Sequence, residues 1–558
     1  MTGIRSAATN VPVRRCRVFV DGYLANREAL CRDAHLPPTT GDAELIADAY
    51  RRFGSGFPAR VFGEYAVALF DEDQKALLLT HDALGVFGLF YAERPGELLF
   101  SSHLEDLIAL IGIGELDEDT IAETLVGIAD HRERTPYRHI HRLRQCRSVL
   151  VRDGELRSIP TYDPSAVRPL RLLNSTDYEE HFRNLVVEAV SSALPAVGKV
   201  WCELSGGLDS STIVSLAASA LRTKFETFSV VFSQSQEADE TEWIDAVLNA
   251  YPVPSHRLDG DGAPPFSSVP DRFQAEPTGR SLIVGFDQAR TALFEAHGVK
   301  IVLTGMCGDA VFIGDAPEPY YLADITNPGR LLEELRRWAR ESGDGRSLGH
   351  WFRRYFLQPH LGRGKSARPP PPWISGSYVE RWRDTAGAGE PDQRLNGLSF
   401  GDAYYWNRVL KGALLVRDGQ NPMSGGCDFR NPWLYLPFVE FMAATPWAEK
   451  LRAGSDRTLQ RRALKGTLPE RVRLRDGKRV PSQAFFGGLR RSDSWARLLT
   501  DRPNIVERGY VDGDRWREAV TLAQNGYCNS PSGFIQACVL ESWFATLERA
   551  PLRDAEVA

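Results

Sequence analysis

KVWCELSGGLDSSTIVSLAASAL, Lys199 to Leu221, joins an apolar run ending at Leu204 to a glycine pair and then to a helical pattern that begins near Ser210. A buried strand, a glycine turn and an amphipathic helix in that order form an anion trap. Gly206 and Gly207 let backbone N–H groups approach phosphate oxygens, Ser205, Ser210 and Ser211 add hydroxyl donors, and the helix N-terminus adds the positive end of its dipole. Asp209 fits among phosphates only if it holds a Mg²⁺ that bridges them. The bland alternative is a glycine turn with a capping aspartate; the complete seven-residue string directly after an apolar strand weighs against it. The Walker spacing G-x-x-x-x-G-K-[ST] is absent at this place.

Downstream, TFSVVF (227–232), TEWIDAVLNAY (241–251) and KIVLTG (300–305) alternate strand-like and helix-like runs, the pattern of a parallel sheet with covering helices. Thr176-Asp177-Tyr178-Glu179 reads as a capping box ahead of Phe182, Leu185, Val186, Ala189 and Val190 at helical spacing. RLLEELRRWAR (330–340) and residues 400–450 read as further helix, and GRGKSARPPPPW (362–373) as a loop, since consecutive prolines do not sit inside a helix. Upstream, RVFVDGY, EYAVALFDEDQKALLLTHD, LLFSS and SVLVRDGELRSI are short β segments, with a hairpin turn at Asp71-Glu72-Asp73-Gln74. The expected fold class is α/β: a β-rich domain over 1–165, then an α/β domain over 166–558.

At 558 residues the chain exceeds what one hydrophobic core supports, which agrees with that division. Hydrophobic residues at 43% and charged residues at 25% are those of a folded protein. A net charge of -6 gives no basic field for nucleic acid. No apolar run is long enough to span a bilayer, and MTGIRSAATNVPVRR lacks the apolar centre of a signal peptide, so a cytoplasmic location is expected. The eight cysteines are scattered without a C-x-x-C pair, which speaks against a zinc site or a disulfide framework. Asp259-Gly260-Asp261-Gly262 lacks the remainder of a calcium loop, and His256 has no partner legible in the sequence.

Ser205-Gly-Gly-Leu-Asp-Ser-Ser211 resembles the pyrophosphate loop of the asparagine synthetase superfamily, whose members split ATP into AMP and pyrophosphate. KIVLTGMCGDAVFIGD (300–315) is similar to that family's second loop. The resemblance implies that Asp309 joins Asp209 on magnesium, that Thr304 and Gly305 line the nucleotide, and that Val230 contacts adenine. Asp239 and Glu240 match an acidic pair. GGCDFRNPWLYLPFVEF (425–441) resembles a helix with a Glu-x-Arg-x-Pro string, here Asp428, Arg430 and Pro432. DRTLQRRALKGTLPERVRLRDGKRVPSQAF is similar to the C-terminal segment that places a catalytic lysine, here Lys478, whose charge would stabilise the reacting phosphate and later an oxyanion.

Val61 to Ala92, with His81-Asp82-Ala83-Leu84-Gly85, resembles the family's glutaminase domain, which uses an N-terminal cysteine nucleophile. Met1-Thr2-Gly3-Ile4 carries none, and no cysteine precedes Cys16. The expectation is a degenerate N-terminal-nucleophile domain, with the amine supplied by the substrate. Two branches of the superfamily work in that way: lasso-peptide macrocyclases and β-lactam or carbapenam synthetases. Met306 stands where small-molecule branches carry Glu or Tyr, Cys307 replaces a Gly and Ala310 a Glu, and the string KRVPSQAFFGGLRR is similar to the lasso cyclase branch. That branch implies ATP and Mg²⁺, a leader-free precursor peptide as substrate, and a leader-binding protein and a leader peptidase as partners. The alternatives are a small-ring synthetase and a scaffold of the same fold without activity. Tyr404, Tyr405, Trp406 and Trp433 serve either as walls of a peptide pocket or as core.

Overall fold

The computed structural model describes residues 11–13, 15–125, 133–195, 198–221, 224–314, 317–343, 345–361, 370–380, 395, 397–419, 426–475, 477 and 482–551. Among the described residues nine strands lie before residue 161: β1 (Val11–Val13), β2 (Cys16–Leu24), β3 (Gly63–Asp71), β4 (Ala76–His81), β5 (Phe90–Arg94), β6 (Glu97–Ser101), β7 (His141–Arg142), β8 (Arg147–Arg152) and β9 (Glu155–Pro160). They form a six-stranded sheet in the order β1-β2-β3-β4-β8-β9 and a three-stranded sheet β6-β5-β7. The expected hairpin is there, with Asp71 opposite Ala76.

β3 and β4 are buried on both faces rather than alternating, because the large sheet is covered on both sides. Val18, Val20, Val67, Leu69 and Leu78 meet α1 (Arg27–Ala34) and α2 (Asp42–Phe53). On the other face Phe19, Ala66, Ala68, Leu77, Leu79 and Val149 meet Tyr91, Leu98 and Phe100 of the small sheet. α3 (Leu104–Ile111) and α4 (Glu118–Leu125) cover the far side, giving a helix, sheet, sheet, helix stack.

The second domain opens with α5 (Ser175–Ala193). Its cap lies two residues earlier than the sequence suggests: the Asn174 N–H donates to the Asp177 carboxylate at 3.2 Å, while Glu179 is free to pair with Arg462 at 2.9 Å. Five parallel strands follow, β10 (Val200–Glu203), β11 (Glu226–Val231), β12 (Ser255–Asp259), β13 (Ile301–Leu303) and β14 (Asp428–Arg430), in the order β12-β11-β10-β13-β14. Trp201, Cys202, Val302 and Leu303 are buried, as expected for a parallel sheet with both faces covered.

Two expectations are corrected here. The helix after the glycine pair, α6 (Leu208–Leu216), starts at Leu208 and is buried on every side rather than amphipathic, because β10, α5, α7 (Thr241–Ala250) and the turn Glu470–Arg473 enclose it. Residues 400–450 are not helical throughout: Asp428–Arg430 is an edge strand, too short to show a period, between α8 (Phe400–Gly419) and α9 (Leu436–Ala444).

The domains share a core. Leu104, Leu107, Ile121 and Tyr137 of the first pack with Trp373, Trp495 and Trp543 of the second, and the Tyr137 hydroxyl donates to the Ala275 carbonyl at 2.8 Å. Each fully buried side chain of leucine size contributes roughly 1.5–3 kcal/mol, so a cluster of this size holds the domains together. No helix among the described residues is long and apolar enough to cross a membrane.

Candidate active site

The site lies at the C-terminal edge of the parallel sheet, where ligands of open α/β sheets bind. β10 ends as the Leu204 N–H donates to the Phe228 carbonyl at 2.8 Å. The chain then turns through Ser205-Gly206-Gly207 onto α6. Gly206 has φ +74°, and a Cβ there would meet Cβ of Trp243 at 2.8 Å. Ser210 Oγ accepts from the Ser205 N–H at 3.1 Å and lies 3.0 Å from Ser205 Oγ, which closes the loop on itself. The first N–H groups of α6 have no partner within the helix and face whatever binds at the loop. Ser211 Oγ is buried without a hydrogen-bond partner among the described residues.

A second loop, Thr304 to Asp309, follows β13. It touches the first through two glycines: a Cβ on Gly305 would lie 2.7 Å from the Ser210 nitrogen, and one on Gly308 would lie 2.2 Å from Asp209 Cγ. This side-chain-free contact brings Asp209 and Asp309 together. Cys307 takes φ +63°, the left-handed conformation that disfavours any residue but glycine. Burial pushes its thiol far above the usual range, which disfavours the thiolate.

The third contribution was not read from the sequence. Arg457, itself at φ +50°, precedes α10 (Thr458–Ala463) and places its guanidinium between the two carboxylates, 3.3 Å from Asp209 Oδ2 and ion-paired with Asp309. Gln460 Nε2 donates to Asp209 Oδ1 at 3.3 Å. A side chain at Gly314 would strike the guanidinium, at 2.2 Å from Nε. Arg475, which the sequence does not single out, is almost fully buried: it donates to the Gly206 carbonyl at 3.1 Å, pairs with Glu240 and lies 4.0 Å over the Trp243 ring. It fixes the Ser205–Ser211 loop from outside. A cleft of about 1040 Å³ opens onto Gly207, Leu208, Asp309, Arg457 and Arg475.

These residues suit a divalent cation and phosphates. A cationic group already lies between Asp209 and Asp309, and two carboxylates offer the hard oxygen donors Mg²⁺ takes.

The remaining sequence candidates sort as follows. Thr304 is buried at the loop, and its hydroxyl donates to Asn431 Oδ1 at 3.0 Å. Val230, on β11, is half-buried and lies opposite Leu258 of β12. Met306 is 44% exposed and Ala310 buried. Lys478 lies outside the described residues. Asp428 pairs in register with Ile301, on the side of the sheet away from the loops, and bonds Arg430 at 2.8 Å, so it does not reach the site. Asp239 accepts from Thr241 Oγ1 at 2.7 Å at the start of α7. Tyr405, Trp406 and Trp433 are core. His256 has a partner after all, Glu226 at 2.6 Å, and Asp261 is taken up by Gln234 and Ser235. Among the described residues no group of His, Cys, Asp and Glu has the makings of a separate metal centre.

A glycine loop running onto a buried helix, with a pair of acids at the C-terminal edge of a parallel sheet, is the architecture of a ligand-binding α/β domain. Residues 181–545 match the asparagine synthase family and residues 20–162 the glutamine amidotransferase domain. The chain belongs to the asparagine synthase family, whose members are ATP-dependent, amide-forming ligases. It is 22% identical over 526 residues to "Asparagine synthetase [glutamine-hydrolyzing] 3" of Bacillus subtilis (strain 168), covering 89% of this chain and 80% of that protein. It is 26% identical over 296 residues to "Amidase chyE" of Penicillium rubens, covering 49% and 43% of the two chains. A "Putative asparagine synthetase [glutamine-hydrolyzing] 2" of Methanocaldococcus jannaschii is 26% identical over 316 residues, 53% of this chain and 58% of the other.

Proposed function

We propose that this chain is a lasso-peptide cyclase. It adenylates the side-chain carboxylate of an Asp or Glu in a leader-free precursor peptide with Mg-ATP, then joins that carboxyl to the peptide's N-terminal amine, giving a macrolactam, AMP and pyrophosphate. The observation that carries this reading is Met306. It is exposed on the loop of Asp309, and a thioether can neither take the amine's proton nor hydrogen-bond a small substrate into place. The amine must therefore arrive on a substrate that positions itself, and holding both reacting ends in place supplies roughly 7–11 kcal/mol of the barrier.

Asp209 and Asp309 are the residues that would hold magnesium, which neutralises phosphate charge when bound. The loop N–H groups with Ser205, Ser210 and Ser211 would grip phosphate oxygens, Thr304, Gly305 and Val230 would line the nucleotide, and Lys478 is the residue whose charge would stabilise the reacting phosphate. A leader peptidase and a leader-binding protein would deliver the peptide.

The test is incubation of the enzyme with Mg-ATP and a leader-free precursor peptide, reading pyrophosphate release and the mass loss of one water. Asp209→Ala and Asp309→Ala are expected to abolish both. Turnover of a small β-amino acid with no reaction of any peptide would make the chain a small-ring synthetase instead.

A further inference from the structure

Glu64 lies on β3, in the first domain, yet its carboxylate reaches into the second. It is 4% exposed and accepts from the Asn431 backbone N–H at 2.6 Å and from Asn431 Nδ2 at 2.9 Å, while the Tyr23 hydroxyl donates to it at 3.2 Å. A carboxylate only accepts, so it fixes which way the Asn431 amide faces: Nδ2 toward Glu64, Oδ1 away. Oδ1 then accepts the Thr304 hydroxyl proton at 3.0 Å, and with that proton committed Thr304 Oγ1 accepts from the Met306 N–H at 3.2 Å. Asn431 and Thr304 are each 2% exposed, so water cannot replace a lost partner at low cost. The relay runs one way, from the first domain to the backbone of the loop that ends in Asp309.

We propose that Glu64 is a positioning residue through which the first domain sets the Thr304–Asp309 loop for metal-bound nucleotide. This rests on the reading that Asp309 holds the metal. The first domain then contributes to the second domain's chemistry whether or not it handles glutamine. An amide in place of Glu64 would turn one donor toward Asn431 Nδ2. Asn431 would have to flip, and Thr304 would face a donor with its own proton unplaced. Exchanging the pair, Glu64→Gln with Asn431→Asp, restores every donor to an acceptor: the new amide donates to the new carboxylate, whose far oxygen still accepts from Thr304.

The experiment is calorimetric titration of the full chain with α,β-methylene ATP, in Mg²⁺ and in EDTA, alongside thermal unfolding. Glu64→Gln is expected to weaken binding in Mg²⁺ about tenfold, the scale of one buried donor left unpaired, and to leave binding in EDTA unchanged. The double variant should recover most of that loss. Asn431→Leu breaks the relay at its middle without touching the first domain or the nucleotide, and should reproduce the loss, which keeps the test open if Glu64→Gln does not fold. Unchanged Mg²⁺-dependent binding in Glu64→Gln or in Asn431→Leu, or no recovery in the double variant, overturns the proposal. Full Mg²⁺-dependent binding in Asp309→Ala would instead overturn the metal assignment on which it rests.

Discussion

Replacing Arg457 by methionine removes the cation that lies between Asp209 and Asp309 and leaves two carboxylates facing each other. Breaking a buried charge pair costs about 3–5 kcal/mol. The side chains of Arg457 and Asp209 are 6% and 7% exposed, but that of Asp309 is 30% exposed. Solvent therefore screens part of the cost, and the low end, about 3 kcal/mol, applies. Magnesium and the guanidinium compete for the same oxygens, so the metal should replace the arginine in the variant. At ten times its dissociation constant it would contribute about 1.4 kcal/mol. The assay is urea unfolding of wild type and Arg457→Met without nucleotide, in EDTA and in MgCl₂. The variant should unfold at lower urea in EDTA and gain from Mg²⁺, whereas the wild type should gain little. A variant as stable as wild type in EDTA, or an equal response of both proteins to Mg²⁺, would refute the reasoning.

Two further outcomes follow from close packing and burial. In Gly308→Ala the new methyl would fall 2.2 Å from Asp209 Cγ, so Mg²⁺-dependent nucleotide binding should be lost while cooperative unfolding persists; calorimetry and circular dichroism check this, and normal binding would mean that the loop can step aside. Lys450 is fully buried and donates to the Met442 carbonyl at 2.7 Å, at the C-terminal end of α9, with its ammonium 4.5 Å from the Trp447 ring. Burial pushes its pKa down to about 7 from 10.5. Below the lower value both folded and unfolded chains carry the proton; between the two only the unfolded chain does, so stability rises with pH across that window, by up to about 1.4 kcal/mol per unit. Lys450→Met should flatten that rise in urea midpoints measured from pH 7 to 9.5, and equal slopes in both proteins would count against it.

The two halves of the fold were legible because their signals are local. The hairpin at Asp71-Glu72-Asp73-Gln74 and the strand ending at Leu204 each show within a few residues. β14 was not legible, since three residues carry no period and its pairing with β13 is set by a neighbour more than a hundred positions away. The amphipathic reading of α6 failed for a related reason. Its Ser and Thr residues look like a solvated face in sequence, but they are enclosed, with Thr212 Oγ1 returning its proton to the Leu208 carbonyl at 2.7 Å. Asp209 could be named because it follows a glycine pair after an apolar strand, and Asp309 because its loop resembles the family's second loop. Arg457 could not: its signal is one arginine among several in DRTLQRRALKG, and only the folded chain distinguishes it. Arg475, which donates to the Gly206 carbonyl, was hidden among neighbouring arginines for the same reason.

The site's parts are far apart along the chain: 248 residues separate Asp209 from Arg457, and 269 separate Gly206 from Arg475. On a ribosome the chain appears N-terminus first, at roughly 5–20 residues per second, so about 12–50 s pass between synthesis of Asp209 and synthesis of Arg457. Both acid-bearing loops are made, and their glycines can already meet, before Arg457 is available to balance them. The nascent protein therefore acquires its charge balance at this edge of the sheet only when the last part of the chain arrives.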